Sequence, residues 1–314
     1  MAVLNLLWMT VLTAYYIVRS WMLWIIPPRK KSVADETVLI TGAGSGIGRL
    51  MAVEFAKRGA LVVLWDINKS GNEATARLVR EMGGRAHTYV CDISKKEDVY
   101  EAAAKVKEEV GEVTILINNA GIVSGTKLLD TPDAKIIKTM EVNTLAHVWM
   151  LKSFLPDMFK NDRGHVVTIS SLAGHLTQPG MADYCMSKFA AVGLHESVEK
   201  EAVVVGAENV NFTIVNPYLI NTGMFKGVTL KYPGLLPALE PEYVVEKIMH
   251  AVLTNQRVIF IPRLLYLLKW MKSWIPVEAA LLDKDVTNMD PFIGHADKDI
   301  TNMDPYTGHA DKDI

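Results

Sequence analysis

Two residues with acid–base chemistry, Tyr184 and Lys188, stand four positions apart, and Ser171 precedes them. The residue pattern predicts a helix from 183 to about 205, and a four-residue spacing places both side chains on one face of it. An ammonium beside a phenol favours the phenolate and lowers a pKa that starts near ~10. The pair could therefore act as an acid or base near neutral pH. An exposed polar pair has the same spacing, so the rest of the chain must decide.

A glycine-rich segment lies between an apolar run and an amphipathic run. Residues 37–41 predict a buried strand, residues 49–58 predict a helix, and residues 41–48 read T-G-x-x-x-G-x-G. Glycines let the backbone approach a pyrophosphate, and a helix N-terminus supplies free N–H groups and the positive end of a dipole. Strand, turn and helix together predict a dinucleotide phosphate site. Its predicted residues are Thr41, Gly42, Ser45, Gly46, Ile47 and Gly48.

The next predicted strand, residues 61–65, is followed by Asp66. A carboxylate at this place accepts hydrogen bonds from the adenosine ribose and repels a 2′-phosphate. No Arg or Lys stands in the glycine turn or directly after Asp66, and Lys69 is the nearest downstream cation. These residues predict NAD as the cofactor rather than NADP.

Further short motifs stand in the order and spacing of one known family. They are the N-N-A-G of residues 118–121, Asp92 after the third apolar run, Asn143, Ser171, and the segment from Pro217 to Thr222. With these motifs, residues 36–262 resemble the short-chain dehydrogenases/reductases. The resemblance assigns cofactor binding to Asp92, Asn119, Ala120, Gly121, Tyr184, Lys188, Pro217 and Thr222. One position departs from the pattern, because Tyr218 stands where the family usually has Gly.

The family's catalytic tetrad matches Asn143, Ser171, Tyr184 and Lys188. The resemblance implies that Tyr184, as phenolate, takes the proton of an alcohol while the nicotinamide accepts the hydride. It also implies that Lys188 holds the nicotinamide ribose and lowers the tyrosine pKa. Ser171 would orient the substrate oxygen, and Asn143 would hold a water that relays the proton. No metal site is predicted. We interpret Cys91 and Cys185 as packing residues, since no motif places a histidine beside them.

Seven apolar runs alternate with helical stretches. They are residues 37–41, 61–65, 86–91, 114–118, 164–170, 210–215 and 257–261. This alternation predicts an α/β fold of the Rossmann type, a doubly wound, seven-stranded parallel sheet with helices on both faces. The 314 residues, 50% of them apolar, suffice for one large core. A net charge of −2 gives no reason to expect nucleic acid as a partner.

The first 26 residues are strongly apolar and carry one charge, Arg19, and residues 27–35 form a basic linker. A run of this length can span a bilayer of about 30 Å. Because Arg19 is costly at mid-membrane depth, an in-plane or hairpin anchor is the alternative. The cations at 29–31 favour a catalytic domain that faces the cytosol. We predict the endoplasmic reticulum membrane, with the lipid droplet as the alternative. A cleaved signal peptide is disfavoured, because no positive region precedes the run and no small-residue cleavage site follows it.

Two segments follow the predicted catalytic domain. Residues 263–282 are apolar and aromatic, and their charges do not share one helix face. A lid over the substrate mouth, a second membrane contact and ordinary packing all fit this pattern. Residues 283–314 repeat a fourteen-residue unit that lacks the glycine and glutamate of a calcium loop. We predict a disordered tail without chemistry.

The substrate is predicted from residues 223–239, where the family places its substrate loop. Apolar residues there suit a lipophilic alcohol. Six segments are similar to those of membrane-bound retinol dehydrogenases of the epidermal type, with the lipid-droplet 17β-hydroxysteroid dehydrogenases close by. They are residues 28–33, 64–68, 143–147, 183–185, 187–193 and 222–225. This resemblance implies oxidation of all-trans-retinol to all-trans-retinal, with a 17β-hydroxysteroid or another lipid alcohol as the alternative.

Two further hypotheses concern partners. A non-catalytic membrane or lipid-droplet scaffold would keep the fold and lose the reaction, but the four tetrad residues are intact. The family often dimerises through its two long central helices, predicted here at 131–158 and 183–205. A homodimer is therefore expected by analogy.

Overall fold

Seven strands form one parallel sheet in the computed structural model of the protein. The structure describes residues 1–25, 28–225, 234, 236–276 and 278. The strands are β1 (Thr37–Thr41), β2 (Leu61–Asp66), β3 (Arg85–Val90), β4 (Ile115–Asn118), β5 (Gly164–Ile169), β6 (Val210–Pro217) and β7 (Val258–Ile261). Their order is β3-β2-β1-β4-β5-β6-β7, and each neighbouring pair is parallel. The order reverses between β1 and β4, where doubly wound sheets bind their ligands.

Helices flank this sheet on both sides. The α-helices of the described residues are α1 (Ala2–Ile25), α2 (Gly46–Ala56), α3 (Lys69–Glu81), α4 (Lys96–Glu109), α5 (Asp133–Met140), α6 (Ala146–Lys160), α7 (Ala182–Val204), α8 (Pro241–Leu253) and α9 (Leu264–Lys272). The predicted Rossmann-type fold, with seven parallel strands and flanking helices, is confirmed.

The sheet separates two apolar cores. Helices α2, α3 and α8 cover one face, and α4, α6 and part of α7 cover the other. In β2, Val62 and Leu64 point into the first core, whereas Val63 and Trp65 point into the second. A strand buried on both faces reads as a continuous apolar run, which is why β2 shows no polar alternation. Burial of each such side chain contributes about 1.5–3 kcal/mol, so the cores fix the strand ends that carry the site.

The first of the two predicted central helices is interrupted. Helix α5 ends at Met140, the π-helical turn Glu141–Leu145 follows, and α6 continues to Lys160. π-Helical turns inside α-helices are frequent at functional sites. This turn contains Asn143, so the irregularity lies at a predicted catalytic residue.

The described residues divide into two separate compact units, the first Met1–Ser32 and the second beginning at Val33. Helix α1 makes up most of the first unit, and apolar side chains such as Leu4, Trp8 and Tyr15 are exposed on it. Across the described parts of the chain, no helix combines the length and the apolarity needed to cross a membrane.

The last elements that the structure describes in the second unit are α8, β7 and α9. Leu265 of α9 is buried and packs with Leu172 and Phe260. On the same helix and just after it, Trp270 and Trp274 are 60% and 72% exposed. The predicted tail at 283–314, and residues 226–233 and 235 of the predicted substrate loop, lie outside the described residues.

Candidate active site

The glycine turn lies between the end of β1 and the start of α2, as predicted. Gly42 and Gly46 have positive φ angles of 66° and 52°, a conformation that side chains disfavour. A Cβ atom on Gly48 would lie 2.1 Å from the carbonyl oxygen of Gly42, so only glycine fits there. The backbone is thus open to a pyrophosphate at the N-terminus of α2, and this cradle fits a dinucleotide.

Two predicted residues beside the turn differ in what they present. Ser45 is exposed, and its side chain makes no capping hydrogen bond to α2. Ile47 packs against the first core. Both positions can therefore offer backbone N–H groups to a phosphate, while the Ile47 side chain anchors the helix.

Thr41 connects the glycine turn to the segment after β4. Its hydroxyl oxygen accepts hydrogen bonds from the backbone N–H groups of Asn119 (3.0 Å) and Ala120 (3.1 Å). The side-chain Nδ2 of Asn119 in turn donates to the Thr41 carbonyl oxygen at 2.8 Å. The structure thereby brings two of the predicted cofactor motifs together at the carboxyl edge of the sheet.

Asp66 lies against the glycine turn. Its Oδ2 accepts a hydrogen bond from the Gly44 N–H at 2.7 Å, and its Oδ1 accepts one from the Asn68 N–H at 2.8 Å. Arg49 completes this arrangement, because its guanidinium donates to the Gly44 carbonyl oxygen and to the Thr75 hydroxyl. The sequence did not single out Arg49, since an arginine in an amphipathic helix gives no sign of its partner.

Asp92 follows β3 and is partly buried. Its carboxylate accepts hydrogen bonds from the Ser94 N–H (3.1 Å) and hydroxyl (2.6 Å), and Lys138 lies 3.4 Å away. Burial alone would raise the pKa of Asp92, but the bonds from Ser94 and the charge of Lys138 lower it below its ordinary value. An ionised acceptor at this strand end is suited to contact an adenine amino group.

Tyr184 and Ser171 meet as the sequence predicted. The phenol is 4% exposed and hydrogen-bonds the Ser171 side chain. Burial raises the pKa of Tyr184 to about 12, and the Ser171 hydrogen bond only partly opposes this rise. The predicted lowering of the tyrosine pKa is therefore wrong for the protein alone, because desolvation of the phenolate outweighs the effects that favour it.

Lys188 lies on the same face of α7 as Tyr184. Its Nζ donates to the Ile169 carbonyl oxygen at 3.0 Å and lies 5.6 Å from the centre of the Tyr184 ring. Burial lowers the pKa of Lys188 to about 8. A Cβ on Gly121 would lie 3.5 Å from this Nζ, so the N-N-A-G segment passes directly beside the lysine.

Asn143 is fully buried and held from both sides. Its Oδ1 accepts from the Ile122 N–H and its Nδ2 donates to the Ile122 carbonyl oxygen, both at 2.8 Å. The Nδ2 also donates to the Ser187 hydroxyl at 3.0 Å, and Ser187 donates to the Tyr184 carbonyl oxygen at 2.7 Å. Asn143, Tyr184 and Ser171 thus share one hydrogen-bonded framework, and Lys188 lies beside it. Ser187 escaped the sequence interpretation, because its partner Asn143 is distant in the chain.

The segment after β6 returns to the glycine turn. Pro217 is buried at the strand end, and the Thr222 methyl would lie 3.9 Å from a Cβ on Gly46. Tyr218, the departure from the family pattern, donates its N–H to the Ile261 carbonyl oxygen at 2.7 Å and packs against apolar residues. A glycine could make the same backbone hydrogen bond, so the tyrosine side chain adds only the apolar packing.

The cysteines are both buried and unpaired. Burial raises the pKa of Cys91 to about 12 and also raises that of Cys185. A thiol held protonated is a poor nucleophile, which agrees with packing roles.

Comparison with known proteins agrees with this geometry. The sequence model described as short chain dehydrogenase matches residues 36–233. Epidermal retinol dehydrogenase 2 of Homo sapiens is 52% identical over 274 residues, which cover 86% of this chain and 89% of that protein. Estradiol 17-beta-dehydrogenase 11 of Rattus norvegicus is 49% identical over 273 residues, which cover 87% of this chain and 91% of that protein.

A solved structure extends the comparison to three dimensions. A metagenomic short-chain oxidoreductase in complex with NADP is 28% identical, with a TM-score of 0.62 over 74% of this chain and 97% of that one. The chain therefore belongs to the short-chain dehydrogenase/reductase family and is an alcohol-acting oxidoreductase that uses a nicotinamide cofactor.

Proposed function

We propose that the protein is an NAD-dependent dehydrogenase that oxidises all-trans-retinol to all-trans-retinal. The observation that carries the reaction is the contact of Ser171, Tyr184 and Lys188 beside the N-N-A-G segment. The observation that favours retinol is the 52% identity to an epidermal retinol dehydrogenase.

The residues divide the reaction among themselves. The Tyr184 phenolate would take the alcohol proton while the Ser171 hydroxyl holds the substrate oxygen. The bound nicotinamide would supply the hydride-accepting carbon. The Lys188 ammonium would hold the nicotinamide ribose and, with the cofactor's positive charge, bring the tyrosine pKa down toward neutrality. In the π-helical turn, Asn143 would hold the water that passes the proton onward.

Asp66 supports NAD as the cofactor. Both of its carboxylate oxygens face backbone N–H groups at the edge of the glycine turn, where the adenosine ribose would lie. A 2′-phosphate would add negative charge beside this carboxylate. The related structure that holds NADP leaves the preference of this chain to be measured.

A second substrate has comparable support. The 49% identity to an estradiol 17-beta-dehydrogenase favours a 17β-hydroxysteroid. The non-catalytic scaffold is disfavoured, because the structure keeps Asn143, Tyr184 and Lys188 in one framework.

The test is turnover of all-trans-retinol and estradiol by microsomes that contain the protein, each with NAD⁺ and NADP⁺. We expect retinal formation with NAD⁺ and a higher kcat/KM for retinol than for estradiol. Steroid turnover without retinol turnover would transfer the assignment to the alternative. A preference for NADP⁺ would contradict the role given to Asp66.

Membrane association is part of the proposal. Exposed apolar residues on α1, including Leu7, Trp8 and Tyr16, would be costly in water and suit lipid. For residues 263–282, the exposed Trp270 and Trp274 favour a second membrane contact over ordinary packing. We propose the endoplasmic reticulum membrane with a cytosol-facing catalytic domain, and the lipid droplet as the alternative.

Cell fractionation tests this placement. We expect the protein in the microsomal pellet after alkaline carbonate extraction, with its catalytic domain open to protease in sealed microsomes. Release by carbonate, or protection from protease, would contradict the placement.

Sedimentation analysis in detergent tests the homodimer expected by analogy, and a monomer at micromolar concentration would contradict it.

A further inference from the structure

Asp183 is a buried carboxylate directly before the catalytic tyrosine, and the reaction above does not use it. Its side chain is 3% exposed. Its Oδ1 accepts a hydrogen bond from the Ser124 hydroxyl at 2.7 Å, and its Oδ2 accepts one from the Thr139 hydroxyl at 3.0 Å. A buried charge is costly unless it is hydrogen-bonded, so these two contacts are energetically important.

The partners of Asp183 belong to the segments that carry the rest of the site. Ser124 follows Gly121, which lies against Lys188 and Asn143. Thr139 is on α5, just before the π-helical turn that contains Asn143. Asp183 itself is in the first turn of α7, where a negative charge is stabilised by the helix dipole. One carboxylate thus connects three chain segments at the tetrad.

The Thr139 hydroxyl also lies 2.9 Å from the Lys135 carbonyl oxygen. It has one hydrogen to donate, and the bond to an ionised acceptor is the stronger of the two. The hydrogen bond from the Thr139 hydroxyl to Asp183 therefore holds α5 against α7.

We propose that Asp183 is a positioning residue, which fixes the start of α7 against the Gly121 segment and α5 so that the Tyr184 phenol stays buried against Ser171. Its role is geometric. An uncharged side chain of the same shape should therefore preserve the site.

The experiment follows the Tyr184 phenol directly by NMR of protein labelled with ¹³C at tyrosine Cζ, with the signal assigned through Tyr184→Phe. In Asp183→Ala we expect the phenol to lose its fixed, buried position, so that its titration moves by about one pKa unit from about 12 toward the ordinary value near ~10. In Asp183→Asn we expect the wild-type titration, because an amide can accept from one hydroxyl and donate to the other.

Two further variants complete the test. Asp133→Ala removes an exposed carboxylate from the first turn of α5 and should leave the Tyr184 signal unchanged. If Asp183→Ala does not fold, Ser124→Ala removes one partner only and should move the titration in the same direction by less. An unchanged Tyr184 titration in the folded Asp183→Ala or Ser124→Ala protein would overturn the proposal. Equal shifts of the Tyr184 titration in Asp183→Asn and Asp183→Ala would also overturn the proposal. The charge at position 183, and not the shape of its side chain, would then hold Tyr184 in place.

The NMR signal needs no substrate, so the test stands even if the alcohol is not retinol. Turnover adds a second readout through a double-mutant cycle. We expect Asp183→Ala to lower kcat at least tenfold in the wild-type background and to have no further effect in Tyr184→Phe. A loss of the same size in both backgrounds would indicate general damage and overturn the positioning role.

Discussion

At the scale of the residue, the site is poised against ionisation of its own tyrosine. Burial raises the pKa of Tyr184 to about 12 and lowers that of Lys188 to about 8. Both shifts disfavour charge, so the protein alone does not generate a phenolate near neutral pH. A bound nicotinamide cofactor would supply positive charge beside Tyr184 and Lys188, and this charge would favour the phenolate.

Asp66 gives the residue-scale prediction. Hydrogen bonds to a charged group contribute about 1.5–3 kcal/mol, which corresponds to about 10–100-fold in binding. We expect Asp66→Asn to lower kcat/KM for NAD⁺ by roughly this factor and to raise it for NADP⁺, because repulsion of the 2′-phosphate is removed. Steady-state kinetics with both cofactors measures it, with the exposed Glu81→Gln as the control. An unchanged ratio of the two efficiencies would contradict the assignment.

Residue identity was easier to predict than residue environment. The motifs located Asn143, Ser171 and Tyr184, and the structure brings them together. The direction of the Tyr184 pKa shift was missed, because burial arises from elements distant in sequence. The partnership of Asp183 with Ser124 was missed for the same reason, since no local spacing encodes it.

At the scale of the element, the β1–turn–α2 unit depends on close backbone approach. The missing side chain of Gly48 lets the turn carbonyl of Gly42 pass 2.1 Å from where a Cβ would be. Gly193 on α7 is also helical, but a Cβ there would meet nothing within 4 Å. The two glycines can therefore be compared directly. Close packing requires glycine at position 48, whereas position 193 has room for a side chain.

Alanine at these two glycines should have opposite effects on stability. Gly48→Ala should displace the turn, weaken NADH binding at least tenfold and lower the melting temperature. Gly193→Ala should leave binding unchanged and stabilise the protein by about 0.5–1 kcal/mol, because alanine is the better helix former. NADH fluorescence titration and thermal unfolding distinguish them. Normal binding by Gly48→Ala would contradict the close packing of the turn.

The elements themselves were well predicted, because strands buried on both faces leave continuous apolar runs such as Val62–Leu64. The π-helical turn at Glu141–Leu145 was not, since its apolar spacing resembles that of the helices on either side. Irregular backbone of this kind depends on tertiary contacts, here those of Asn143 with Ile122 and Ser187.

At the scale of the whole molecule, two buried histidines make stability depend on pH. Burial lowers the pKa of His147 to about 3 and that of His195 to about 4, below the unfolded value near ~6.5. Below that value the unfolded chain binds protons that the folded chain does not. The folded state is therefore most favoured above pH 6.5 and loses stability as the pH falls toward 4, by on the order of 1.4 kcal/mol per unit and histidine.

Removal of one histidine should flatten this dependence. Between pH 7 and pH 5, we expect the free energy of unfolding to fall by on the order of 2 kcal/mol less in His147→Gln than in the wild type. Urea unfolding in detergent at both pH values measures the difference, and His87→Gln on the exposed side of β3 is the control. Identical pH dependence in wild type and His147→Gln would show that this histidine is not a buried neutral group.

We propose that Tyr184 removes the alcohol proton and that the cofactor binds without needing the Tyr184 hydroxyl. The direct test is Tyr184→Phe, measured for retinol and estradiol turnover with NAD⁺ and for NADH binding by fluorescence. We expect turnover to fall by at least about 10²-fold, as for loss of an acid–base catalyst, while the NADH Kd stays within twofold. Wild-type turnover in Tyr184→Phe would contradict it.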